Sequence, residues 1–356
     1  MRFNSSRHRL FTLPKLLTAA LVSICASATY AQGAGDDEDV FFRNDPGASK
    51  YAVIITGAGA SEDIGARFSQ WSLALHDILG RDYGYGSDAI TLLLGDGAGG
   101  ERPNPRIDGS SRREDIESAL TALAGRANAG DQVTFILIGH GSSLAEEAKF
   151  NIVGPDITGP EFAGLLEQFN QQNVVVINTT SASFGFSAAL SARGRVVVSA
   201  TRTPAERYDP VFGGYLVAAL DGRAGDRDKN SRLSVLEAFM YASQSAQAWY
   251  RDQGRLPTER AVLDDNGDGV FSIDPTPGAA ADGGLAEIAY LDTFSAVEEK
   301  SSPQARQLLA DMQDLERSVF LLRGQKADHL EAEYWSRMET LLIDLARKTE
   351  QYNELP

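Results

Sequence analysis

Cysteine is almost missing from this chain of 356 residues: Cys25 is the only one. It lies inside a leading stretch that reads as an export signal, so the mature chain is expected to hold no disulfide, no thiolate metal site and no thiol nucleophile. Histidine is nearly as scarce, with four in all. Past the leading stretch only His76, His140 and His329 remain. The first and last fall within helical patterns, which leaves His140 as the imidazole placed for acid–base work. Positive charge is also short: Lys and Arg number 33 against 49 Asp and Glu, a net charge of −16. Removing residues 1–31 takes away Arg2, Arg7, Arg9 and Lys15 and no acid, leaving 29 against 49, or −20. So acidic a chain repels phosphate backbones, and no nucleic-acid partner is expected.

A long apolar run is lacking too. LLTAALVSICASA, after the basic start, is too short for a comfortable membrane span, so no stable membrane anchor is expected. Basic start, short apolar core and the small residues of Thr29-Tyr30-Ala31 together predict a signal peptide cleaved after Ala31 and a secreted or periplasmic protein. Residues 32–50, polar and rich in Gly and Asp, predict a flexible lead-in.

What is present alternates. QVTFILIGHGSS, 132–143, is a run of β-forming apolar residues that ends at His140-Gly141, the pattern of a strand buried on both faces. YAVIITGAG, 51–59, AITLLLGDG, 89–97, VVVIN, 174–178, and RVVVSATR, 195–202, have the same character. Between them lie helical spacings: Phe68, Trp71, Leu75 and Leu79 over 63–80; Ile116, Leu120 and Leu123 after Ser110-Ser111; Phe162, Leu165, Leu166 and Phe169 after Thr158; and a further helix at 211–220. A hairpin is expected around KFNIVG, 149–154. Alternation of this kind predicts an α/β domain with a mostly parallel sheet flanked by helices on both faces, over 51–222. In the tail, Leu308, Met312, Leu315, Val319 and Leu322, then Leu330, Tyr334, Met338, Leu341 and Leu345 after Gly324, predict a C-terminal helical hairpin over 302–351.

ILIGHGSS, VVVINTTSASFGF and RVVVSATR in this order resemble the caspase/legumain-like superfamily of cysteine peptidases over roughly residues 51–240. The resemblance implies a caspase-like fold, with His140 as the catalytic base or acid and oxyanion-binding N–H groups near Gly141. It implies a cysteine just after the next strand, and Thr180 stands there instead. A threonine hydroxyl is a far weaker acid than a thiol and needs a strongly coupled base and an orienting third group. No orienting carboxylate is legible in the sequence. The expected protein is thus a secreted pseudopeptidase that binds a peptide or protein partner. One alternative is a hydrolase using His140 with Thr180, Ser181 or Ser183; another is an assembly scaffold acting through the C-terminal helices. Gly57-Ala58-Gly59 is a weak dinucleotide signal because Glu62 occupies the third glycine's place. The elbow-like Gly185-Phe186-Ser187 lacks a suitable later histidine.

A second chemistry lies at 226–237. Asp226, Asp228, Asn230, Arg232 through its carbonyl, Ser234 and Glu237 fall at the ligand positions of an EF-hand-like loop, and Leu236, Phe239 and Met240 begin a helix after it. Ser231 stands where the loop's sharp turn favours Gly. Ca²⁺ is the expected cofactor, within an EF-hand-like insertion with acidic loops over 223–290. The acidic loop Asp264–Gly269 has Pro275 in place of its last ligand and reads as a surface turn.

Overall fold

The computed structural model describes Phe42 and residues 48–97, 103–144, 147–277, 282–293 and 302–355. They belong to one compact unit, Val40–Pro356. The expected export segment 1–31 and most of the lead-in lie outside the described residues.

In chain order the strands are β1 (Lys50–Thr56), β2 (Ile90–Leu94), β3 (Gln132–Ile138), β4 (Gly141–Leu144), β5 (Glu147–Phe150), β6 (Ile157–Thr158), β7 (Asn173–Asn178), β8 (Arg195–Ser199) and β9 (Val262–Asp264). The main sheet has the order β2-β1-β3-β7-β8-β9. Its first five members are parallel and β9 closes one edge antiparallel. The helices are α1 (Glu62–Tyr83), α2 (Arg113–Ala124), α3 (Gly159–Leu166), α4 (Phe184–Ala188), α5 (Phe212–Leu220), α6 (Val235–Asp252), α7 (Gly284–Ile288), α8 (Pro303–Gly324) and α9 (Glu331–Glu354).

Successive side chains of a strand point to opposite faces, so each apolar strand feeds two cores. Ile54, Ile136, Ile177 and Val198 face one layer, where Phe68 and Leu75 of α1, Leu216 of α5 and Phe239 of α6 cover them. Val53, Phe135, Val176 and Val197 face the other, under Leu120 of α2, Phe162 of α3 and Phe186 of α4. Each such side chain, taken fully out of water, contributes about 1.5–3 kcal/mol. The observed architecture is therefore the expected one, a mostly parallel sheet between two helical layers with a helical pair at the C-terminus.

Helix starts follow local chemistry. Ser61 caps α1 by accepting from the Ile64 N–H, and Thr158 with Glu161 forms a reciprocal capping box on α3. The two helices of the tail bury Val319, Leu322, Tyr334 and Met338 against each other. Arg323 joins the pair to the body by donating to both carboxylate oxygens of Glu287, at 2.6 and 2.9 Å.

The hairpin expected around 149–154 is observed, β5 running antiparallel to β6 with Lys149↔Thr158 and Phe150↔Ile157, and β4 adds a third strand by pairing with β5 from Gly141↔Phe150 onward. Two local expectations differ from what is observed. The α/β body does not end at 222, since the segment expected as an EF-hand-like insertion with acidic loops, 223–290, supplies β9 to the sheet and Leu233, Val235, Leu236 and Phe239 to the core. Leu330 does not face the seam of the tail; it precedes the first turn of α9 and is 78% exposed. Among the described residues no helix is long and apolar enough to cross a membrane.

Candidate functional site

β3 and β7 are neighbours in the sheet, so their carboxyl ends bring His140 and the segment 179–183 together. The site lies at the carboxyl ends of the parallel strands, the edge at which open α/β sheets form their ligand crevices, one strand from the β1/β3 point where the order changes direction. Glycine makes the approach possible. A Cβ at position 141 would collide with the Ser181 carbonyl oxygen, and one at 139, where φ is +151°, would press on the backbone of Gly57.

Four hydroxyls follow β7 almost without a break, and three are committed elsewhere. Thr179 Oγ1 donates to the Leu137 carbonyl at 2.8 Å. Thr180 Oγ1 donates to Asn178 Oδ1 at 2.7 Å. Ser183 Oγ shares hydrogen bonds with Ser199 Oγ at 2.9 Å and Thr201 Oγ1 at 3.0 Å. The fourth, Ser181 Oγ, lies 3.2 Å from His140 Nδ1 and 3.4 Å from the Gly141 N–H. The hydroxyl that meets the imidazole is thus Ser181's, one residue beyond Thr180.

On the other side of the ring, His140 Nε2 stands 3.2 Å from Asp209 Oδ1. The pair is within ion-pair distance without the alignment of a hydrogen bond. Arg67 Nη2 donates to the second oxygen of Asp209 at 3.1 Å. A carboxylate therefore stands beside the ring, which the sequence did not reveal: Asp209 belongs to the loop between β8 and α5, with no pattern around it to mark its destination. The Phe68 ring meets the imidazole edge to face, with centroids 5.2 Å apart. Burial lowers the His140 pKa below its ordinary value; Asp209 opposes that shift and Arg67 adds to it. A neutral ring that accepts at Nδ1 carries its proton on Nε2, towards Asp209.

The β8–α5 loop also covers the serine. The Ala182 N–H donates to the Glu206 carbonyl at 2.8 Å, and Ser181 is only 1% exposed. Ala182 itself takes φ 47°, a left-handed conformation unusual for a residue with a Cβ, which turns the chain sharply after Ser181. Glu259 anchors the far end of the loop, accepting from the Val211 N–H at 2.7 Å, the Phe212 N–H at 3.3 Å and the Tyr250 hydroxyl at 3.0 Å.

At the acidic loop, ligand oxygens of Asp226, Asp228 and Glu237 all lie within 4.8 Å of one another. Burial, followed by the charges of Glu237 and Asp226, pushes the Asp228 carboxyl up to about 6. Three carboxylates in mutual repulsion are a donor set that fits a hard divalent cation. Lys229 and Ser231 take φ of 63° and 64°, so Ser231 adopts the left-handed turn for which Gly is favoured. The other expected ligands are otherwise engaged. Asn230 Oδ1 accepts from the Arg232 N–H at 2.8 Å, and Ser234 caps α6 in a reciprocal box with Glu237. The Arg232 side chain turns away to Glu316, 3.1 Å from Nη1. In the Asp264 loop, Asp264 accepts from the N–H groups of Gly267 and Gly269, as a tight turn requires.

No family model matches the chain, and no curated protein matches it. Among solved structures it is similar to drICE, with 11% identity over 65% of this chain and 95% of that one and a TM-score of 0.40. It is similar to a protein from Geobacter sulfurreducens, with 12% identity over 65% and 96% and a TM-score of 0.39. Similarity to the Drosophila initiator caspase Dronc is 10% over 62% and 80%, with a TM-score of 0.38.

Proposed function

We propose that this chain is a caspase-like domain without peptidase turnover that acts by binding a peptide or protein partner. The observation that carries this reading is the state of the hydroxyls after β7. Thr180, in the place the resemblance gives to the nucleophile, is spent on Asn178, and Ser181 lies closed beneath the β8–α5 loop. A nucleophile must reach a carbonyl to attack it, and neither hydroxyl does so in this arrangement. Export by the segment 1–31 belongs to the same proposal, and amino-terminal sequencing of the mature protein tests it: the first residue expected is Gln32.

A second reading has its own support. Ser181, His140 and Asp209 stand in the sequence hydroxyl, imidazole, carboxylate, with the ring nitrogens exchanged relative to the serine-protease arrangement: the hydroxyl faces Nδ1 and the carboxylate stands at ion-pair distance from Nε2. In this reading the chain is a serine hydrolase whose loop must open. Labelling with a fluorophosphonate, followed by peptide mapping, separates the two. Binding alone predicts no adduct at Ser181 and no turnover of peptide libraries; an adduct at Ser181 that is lost in His140→Gln would establish the hydrolase and end the first reading.

The loop 226–237 is proposed to hold Ca²⁺ through Asp226, Asp228 and Glu237. Its contribution would be structural, since neutralising these carboxylates ties the chain before α6 to the start of that helix.

A further inference from the structure

The span 202–209 differs from the chain on either side of it. Before it, Ser183, Ser199 and Thr201 are fully buried and joined through their hydroxyls. After it, Glu259 holds the Val211 and Phe212 N–H groups, and Phe212 belongs to the core. Between these fixed points no residue is buried, and the one aromatic, Tyr208, is 61% exposed. A segment without an apolar anchor has the low local stability of elements that open while the fold stays intact.

The ties from this span to the body are polar. The Glu206 carbonyl accepts from the Ala182 N–H at 2.8 Å, and its carboxylate lies 3.4 Å from the Arg260 N–H. Asp209 reaches Arg67 at 3.1 Å and His140 at 3.2 Å. The Arg67 and Asp209 side chains are each more than a third exposed, so their pairing has the modest strength of a surface ion pair. The rings of Phe68 and Trp71, with centroids 5.7 and 5.5 Å from the guanidinium carbon, hold Arg67 against α1. Ala182 stores strain at φ 47°, and the carbonyl that binds its N–H belongs to the span.

We propose that residues 202–209 are a lid, hinged at Thr201 and Val211 and caught by Arg67 on Asp209, which swings open without unfolding of the sheet and uncovers Ser181 and His140. The movement breaks the polar ties just named and takes no apolar side chain out of the core, so it costs far less than opening the layers on either side. Arg67 stays on α1 as the fixed half of the catch. That the opening admits a partner rests on the binding reading given above; the movement itself does not.

The scarcity of cysteine supplies the test. In the full chain with Cys25→Ser, Ser181→Cys carries the one thiol, and its modification by iodoacetamide reports each opening. Hydrogen exchange at the Ala182 amide reports the same event in the parent, without a substitution under the lid. Both rates are expected far below those of the urea-unfolded chain and nearly independent of urea below the unfolding transition, as local opening requires. Arg67→Met should raise both by a common factor of about two to five, the effect of losing one such ion pair. Rates that follow urea with the full slope of global unfolding, a thiol that reacts as fast as in the unfolded chain, or an Ala182 amide unmoved by Arg67→Met would each overturn the lid. A lid that opens in a protein that captures no peptide would end the binding reading and still support the lid.

Discussion

Asp209 Oδ1 stands 3.2 Å from His140 Nε2, held there by Arg67 on its other oxygen. The carboxylate raises the imidazole pKa while burial and Arg67 lower it, and burial prevails. Asp209→Asn should therefore lower the His140 pKa further, a shift that an NMR titration of the ring protons would show. A rise would mean that Asp209 does not face the ring.

The same imbalance has a consequence for stability. A histidine whose folded pKa lies below its unfolded value resists protonation in the native state, so the unfolded chain binds more protons there and stability declines as pH falls through the ordinary imidazole range. Denaturation of the parent should show this decline below about pH 6.5. In His140→Gln the slope of stability against pH should flatten over that window.

Glu259 works in the opposite sense. Burial pushes its carboxyl up to about 7, against an ordinary value of 4.5, even though the Val211 and Phe212 N–H groups and the Tyr250 hydroxyl favour the ionised form. Between those two values the native state holds more protons than the unfolded chain, so this group's contribution to stability falls as pH rises through the window. Glu259→Gln should remove that fall. Because Glu259 anchors the loop that carries Asp209, the protection of residues 202–212 against hydrogen exchange, corrected for the intrinsic rate, should fall between about pH 4.5 and 7 in the parent and level off above that.

Thr180 and Ser181 should separate cleanly on mutation. Thr180→Val removes the hydroxyl bonded to buried Asn178 Oδ1 and should cost about 1–2 kcal/mol in a urea titration, with the His140 titration unchanged. Ser181→Ala should do the reverse, moving the His140 resonances while costing less in stability. Equal effects of both substitutions on His140 would place Thr180 against the ring.

At the acidic loop, Ca²⁺ should raise the melting temperature of the parent and leave Asp226→Ala and Asp228→Asn unmoved; unchanged calorimetric heats in all three proteins would dispose of the site. Ser231→Gly should stabilise the metal-free protein by up to ~1 kcal/mol, because glycine adopts φ 64° without the Cβ clash that serine bears. Part of that gain is offset by the freedom glycine brings to the unfolded chain.

Composition and periodicity were enough to determine the layered α/β plan, the strand ending at His140, the capping at Thr158 and the two helices of the tail. Each of these is written in neighbouring residues, as an apolar period, a turn or a cap, and local patterns survive without knowledge of the rest. The poverty in thiols was equally legible, since it depends on composition alone. Leu330 shows the limit of such reading, because an apolar residue at the right spacing still lies outside the seam when it precedes the helix. Which hydroxyl meets the imidazole could not be read, since Thr179, Thr180, Ser181 and Ser183 are near-equivalent on paper and differ only in how the chain turns at Ala182. Asp209 was beyond reach for a related reason: loop residues carry no period, and the carboxylate arrives beside His140 only when β8 has paired with β7 and α5 has packed beneath the sheet. The tertiary structure alone decided these contacts, because they join segments far apart in sequence through geometry set by the whole core.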